Sequence, residues 1–156
     1  MNASHWHLIL NHIPILGALF GALLLLIGIV LRNRSVEWTA LITLCITALI
    51  TVPTYLSGDE AEHIIEHMSH ISEWELEEHE EHADLCLWLM MLNGVMALMS
   101  LMSYSLLPVA TKWLKWLTFA FAVVSFLTMI PLAVHGGKIT HPELREDAKV
   151  QIPDDD

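Results

Sequence analysis

The chain has 156 residues, of which 54% are hydrophobic and 16% charged, with a mean hydropathy of +0.53 and a formal charge of −11. That is too apolar for a soluble domain of this size and points to one compact membrane bundle. The negative charge excludes a nucleic-acid partner, which requires a basic footprint.

Four apolar segments reach the ~20 residues that a span requires. They cover about 6–31, 36–56, 83–107 and 113–134. The expected fold is all-α, a single domain of four transmembrane helices, with no repeat at a solenoid period. The first segment has neither a basic n-region nor a small-residue cleavage site, so it reads as a retained helix. Gly17 and Gly21 form a small-xxx-small pair within it, suited to close helix approach. Asn11-His12-Ile13-Pro14 lies one to two turns in, where Pro14 frees backbone groups. An ionisable residue below the interface is a functional candidate, so His12 is read either as a ligand or as a hydrogen-bond partner of a neighbouring helix. In the second segment Thr43, Thr47, Thr51 and Thr54 are spaced to bond back onto their own helix. Cys45 and Cys86 fall in apolar segments, and the chain has no CxxC or CxxCH pattern, so no redox dithiol or covalent haem attachment is indicated.

Between the second and third spans, Ser57 to Asp84 holds eleven of the eighteen acidic residues and five of the ten histidines. A run this polar must lie at a membrane surface. Ser57-x-x-Glu60 and Ser72-x-x-Glu75 both fit a capping box. The first is expected to open a short interfacial helix over about Gly58 to Met68, with an apolar face of Ile64, Ile65 and Met68. The second opens a long helix that runs into the third span, with acidic first turns that complement its dipole. Along that helix His79, His82, Cys86, Met90 and Asn93 share one stripe, which belongs in the bundle interior. After the fourth span Gly136 and Gly137 are expected to end the helix. His141-Pro142-Glu143 then opens a turn that returns His141 over the mouth of the bundle.

Arg32, Arg34, Lys112 and Lys115 occupy the two short loops with a single acid, Glu37. The positive-inside rule makes these loops cytoplasmic and places both termini and the acidic stretch on the outer side. All ten histidines and seventeen of the eighteen acids then share that outer side.

Imidazole suits iron, copper, zinc and nickel. Two histidines on facing helices can also ligate one haem b. His12 on the first helix with His79 or His82 on the third are the axial candidates. No histidine pair exists on the cytoplasmic side for a second haem. Glu60-x-x-His63 resembles half of a dimetal-bundle pattern, and His63-x-x-x-His67 puts two rings on one helical face. No HExxH, nucleophile–base arrangement, phosphate loop or dinucleotide fingerprint is present, so any reaction would be metal-centred redox chemistry.

Four stretches carry a resemblance to a family of small bacterial four-helix membrane proteins: HWHLILNHIPILG at 5–17, SGDEAEHIIEH at 57–67, ISEWELEEHEEHA at 71–83 and GGKITHPEL at 136–144. The chain departs from that family at Met68 to His70, where a Pro-Gly turn is usual. The resemblance implies four helices and an outer polar cluster, carrying over His7, His12, Glu62, His67, His79, Glu80 and His141, which are the candidate metal ligands. The expected location is the bacterial inner membrane, crossed several times. A looser likeness to four-helix b-type cytochromes is architectural. Three functions follow as expectations. One is a haem b electron carrier that exchanges electrons with a quinol or a periplasmic cytochrome. The second is a non-haem iron, copper or zinc site built on Glu62, His67, His79, Glu80 and His141. The third is a cofactor-free subunit of a larger membrane complex whose acidic face docks a basic partner.

Overall fold

The computed structural model describes residues 3–65 and 72–145. They form α1 (Ala3–Leu10), α2 (His12–Leu31), α3 (Arg34–Ile65), α4 (Glu73–Leu106) and α5 (Pro108–Thr140), followed by a 3-10 turn at Pro142–Leu144. The described residues contain four helices long and apolar enough to cross a membrane, with α1 and α2 together making the first. Successive spans run antiparallel. The start of α1, the end of α3, the start of α4 and the end of α5 therefore share one end, which carries the histidines. The short α2–α3 and α4–α5 connections form the opposite, basic end.

Leu, Ile, Val and Phe side chains cover the outside, in keeping with contact with lipid. All six tryptophans are exposed, Trp6 and Trp74 towards the histidine end and Trp38, Trp113 and Trp116 towards the basic end. The interior is built from small and hydroxylated side chains. Gly17 and Gly21 of α2 lie against Thr47 and Leu44 of α3, as the small-xxx-small pattern requires. Thr47, Thr51 and Thr54 are buried with their hydroxyls donated to the carbonyls of Thr43, Thr47 and Ile50 in their own helix. The α4–α5 seam is bonded by Ser100 to Thr118 at 2.8 Å and Ser103 to Thr111 at 2.9 Å.

The two hairpins repeat one pattern of buried positions, which the sequence reading did not anticipate. Pro14, Ala18, Gly21, Leu25 and Gly28 are buried in α2, and Cys86, Met90, Asn93, Ala97 and Ser100 are buried in α4, each 72 positions later (14 to 86). Ala40, Leu44, Thr47, Thr51 and Ala61 of α3 correspond to Thr118, Ala122, Ser125, Met129 and Ile139 of α5, each 78 positions later (40 to 118). Both hairpins start at the histidine end, so the pseudo-two-fold axis runs along the bundle, as in parallel membrane repeats.

Two expected helix ends are absent. Ser57 does not cap a separate interfacial helix: α3 continues through it to Ile65, and the Ser57 hydroxyl bonds back to the Thr54 carbonyl at 2.9 Å. Gly136 and Gly137 do not end α5, which reaches Thr140. Gly58 and Gly136 are held by side chains packed on them, and that contact outweighs the weak helix preference of glycine. The Ser72 cap does form, accepting from the Glu75 amide at 3.4 Å.

The close approach of α2 to α3 yields a stability prediction. A Cβ on Gly28 would lie 2.7 Å from the Glu37 amide nitrogen, a backbone atom that cannot swing aside, whereas one on Gly137 meets nothing within 4 Å. Thermal unfolding in detergent should show Gly28→Ala destabilised by about 1–3 kcal/mol. Gly137→Ala should be neutral or stabilised by up to about 1 kcal/mol.

Candidate functional site: an anchored histidine cluster

The histidine end is positioned by helices longer than a bilayer core. At 34 residues α4 spans about 51 Å, against a hydrocarbon thickness of ~30 Å. Its acidic first turns therefore project beyond the apolar stretch. The stripe expected on α4 faces inward, with Cys86, Met90 and Asn93 buried and His79 and His82 half-buried. Both amide atoms of Asn93 lack a partner among the described residues, at a cost of about 1–3 kcal/mol.

Four histidines of the cluster hold their Nδ1 in hydrogen bonds. His7 donates to the Thr54 carbonyl at 3.1 Å, and His79 to the Leu132 carbonyl at 3.1 Å. His82 donates to the Glu78 carbonyl of its own helix at 2.7 Å, and His135 to the Glu75 carboxylate at 2.6 Å. Carbonyls and carboxylates only accept, so Nδ1 carries the proton and, in the neutral ring, Nε2 carries the free lone pair. This is the outer-shell bond that orients a ligating imidazole.

His7 and His79 are equivalent under the pseudo-two-fold, standing 72 positions apart, as are their acceptors Thr54 and Leu132, 78 apart. Each acceptor follows a proline, Pro53 or Pro131, inside its helix. Each ring rests on the glycine four residues beyond the acceptor. A Cβ on Gly58 would lie 2.9 Å from His7 Cε1, and one on Gly136 3.0 Å from His79 Cε1. In a helix the side chain at i+4 leans back over the turn that holds carbonyl i. Glycine there uncovers the carbonyl, so it can accept from an imidazole as well as from the helix.

Glu75 anchors the neighbouring part of the cluster. It is buried, accepts from His135 and lies 3.2 Å from Lys138 Nζ. The His135 ring stands 5.5 Å from His82 and 5.6 Å from Trp74. Burial pushes the Glu75 carboxyl up, but its hydrogen bonds to His135 and Lys138, with their charges, outweigh that and hold it below its ordinary 4.5. Burial holds His79 below its ordinary 6.5; the bond to Leu132 opposes this, and the charges of His7, His135 and His82 add to the lowering.

Of the other expected ligands, His12, Glu80 and His141 form no bond to this group among the described residues. His12 is exposed and bonded to the Asn11 side chain; it lies two residues from buried Pro14, on the opposite face of the helix, whereas His7 lies seven residues before Pro14 and shares its inward face. Glu62 is half-buried on the last turns of α3 and Glu80 is exposed. His141 is exposed and bonded to Glu143 at 3.0 Å. His67 lies outside the described residues. His135, which the sequence reading did not single out, was detectable as the residue before Gly136 in the Pro-x-x-x-x-Gly spacing shared by Pro53–Gly58 and Pro131–Gly136. Among the described residues no group of three or more His, Cys, Asp or Glu side chains is arranged to hold a metal ion. Comparison with protein-family models, curated proteins and solved structures finds no match.

The Glu75 geometry fixes the sign of a pH dependence. A carboxyl held low in the folded state stabilises it fully above about pH 4.5, and that contribution is lost as pH falls through the lower native value. Glu75→Gln should lower stability by about 1–3 kcal/mol at pH 7. The gap from the parent protein should close progressively below pH 4.5, as read from thermal unfolding across a pH series.

Proposed function

We propose that the protein is a membrane-bound haem b electron carrier, with the cofactor at the histidine end and His7 and His79 as the axial pair. The observation that carries this reading is the equivalence of the two rings: each is anchored through Nδ1 to another helix, seated on a glycine and left with a free Nε2. Haem needs only two protein ligands, whereas a bare ion needs three or four. The pair fits the first requirement, and no larger ligand group is arranged among the described residues to meet the second. His82 is the alternative ligand on α4, but its Nδ1 bonds its own helix and so gives no cross-helix anchor.

Bound haem supplies one-electron chemistry whose potential is set by its axial ligands, their hydrogen bonds and burial. The chain's own contribution is to hold two imidazoles in fixed orientations, each with Nδ1 bonded to a helix carbonyl, Thr54 or Leu132, and Nε2 left for a ligand. By the bias of lysine and arginine, the histidine end faces the periplasm of a bacterial inner membrane. The exposed acids Asp59 and Glu60 on α3, and Glu73, Glu77, Glu80, Glu81 and Asp84 on α4, favour a basic electron partner such as a periplasmic cytochrome, drawn by electrostatic steering. A quinol is the alternative donor.

The purified protein is expected to show a Soret band and, after reduction with dithionite, a sharp α-band. His7→Ala and His79→Ala should each lose most of the haem or shift its spectrum, while His12→Ala should keep both bands. A colourless protein with stoichiometric iron, copper or zinc would move the function to a non-haem site. A colourless protein without metal would leave the acidic face as a docking surface in a larger complex.

A further inference from the structure

The basic end holds a second site, which does not rest on the haem reading. A cavity of about 440 Å³ opens between α2, α3 and α5, lined by Arg32, Arg34, Lys112, Lys115, Glu37 and Trp116 among others. Four cations and one carboxylate face it, in a chain whose net charge is −11. The carboxylate is already engaged: Glu37 is buried, paired with Lys115 at 2.6 Å and bonded to the Tyr104 hydroxyl. Arg32, Arg34 and Lys112 form no ion pair among the described residues. Arg34 lies over the rings of Trp38 and Tyr104, at 5.1 and 4.8 Å.

The pseudo-two-fold explains why the cavity is on this side. In the groove between α3 and α4, Tyr104 fills the corresponding space and takes Glu37 and Arg34 on its hydroxyl and ring. Its counterpart 72 positions earlier (104 to 32) is Arg32, which leaves the groove between α2 and α5 open and adds a cation. Arg32 also stands at φ 52°, the only non-glycine residue with positive φ among those described. Glycine would be unstrained at this helix end, so the arginine is held there at a backbone cost.

We propose that this cavity binds the phosphate of an anionic lipid headgroup. Basic pockets between transmembrane helices suit such headgroups. The lipid source is favoured over a soluble phosphate because Trp113 and Trp116 mark an interfacial level here. Val30, Leu31 and Leu117 present exposed apolar surface beside the cavity, along which acyl chains can lie.

The test is lipid retention by the full-length protein, measured by native mass spectrometry and by tryptophan emission during titration. The probes are phosphatidylglycerol, phosphatidylcholine and glycerol phosphate. Phosphatidylglycerol should bind about tenfold or more tighter than phosphatidylcholine, and glycerol phosphate should not compete. The double variant Arg32→Gln/Lys112→Gln, which breaks no ion pair, should lose that preference. Arg32→Gly should also weaken lipid binding while raising the melting temperature of lipid-free protein, which separates a lost ligand contact from misfolding. Equal binding of the two lipids, or a preference that survives both variants, would overturn the proposal. Glycerol phosphate binding as tightly as the lipid would overturn the lipid assignment.

Discussion

A helix carbonyl can take a second hydrogen bond from a bulky imidazole of another helix where glycine one turn on leaves it uncovered. This constraint shapes the histidine end. The carbonyls of Thr54 and Leu132 are open because Gly58 and Gly136 follow them by one turn, and the rings of His7 and His79 occupy the uncovered surface. Each bond ties two helices, fixes a tautomer and leaves a lone pair on the other ring nitrogen. The same contacts keep α3 and α5 helical past glycines that would otherwise terminate them. Structure and proposed chemistry thus rest on one device used twice.

The duplication also shows where the halves diverge. The buried positions match in α2 with α4 and in α3 with α5, yet their chemistry differs at the ends. Glu37 of α3 corresponds to Lys115 of α5, and the two meet as an ion pair at 2.6 Å. A pair related by the axis carries opposite charges, so identical halves would have placed like charges in contact. Arg32 and Tyr104 diverge similarly, one leaving a basic cavity and the other filling its groove. Near the histidines, Glu75, His135 and Lys138 belong wholly to the second hairpin and surround its anchored ring with polar groups.

Much of this was legible in the sequence. The four apolar segments, the inward stripe from His79 to Asn93, the Gly17–Gly21 packing face and the Ser72 cap all follow from local spacing, and local spacing is what a helix preserves. The His7 and His79 anchors were not legible as anchors, because their acceptors are backbone carbonyls 47 and 53 residues away. A carbonyl leaves no mark on side-chain identity. The fainter mark was the glycine that uncovers it, and Gly58 and Gly136 read instead as helix breakers. The hairpin duplication was hidden because matched positions keep burial but neither size nor identity, as with Gly21 and Asn93. His12 looked the better ligand by depth along its helix, but it lies two residues from buried Pro14, on the opposite face, whereas His7 lies seven residues before Pro14 and shares its inward face.

The central claim is that His7 and His79 act as equivalent axial ligands of one haem. Low-temperature electron paramagnetic resonance of the oxidised protein and of the His7→Gly and His79→Gly variants tests it most directly. Bis-imidazole ligation predicts a low-spin ferric signal that becomes high-spin in both variants and returns to low-spin when free imidazole is added. A low-spin signal that either variant leaves unchanged would contradict the account.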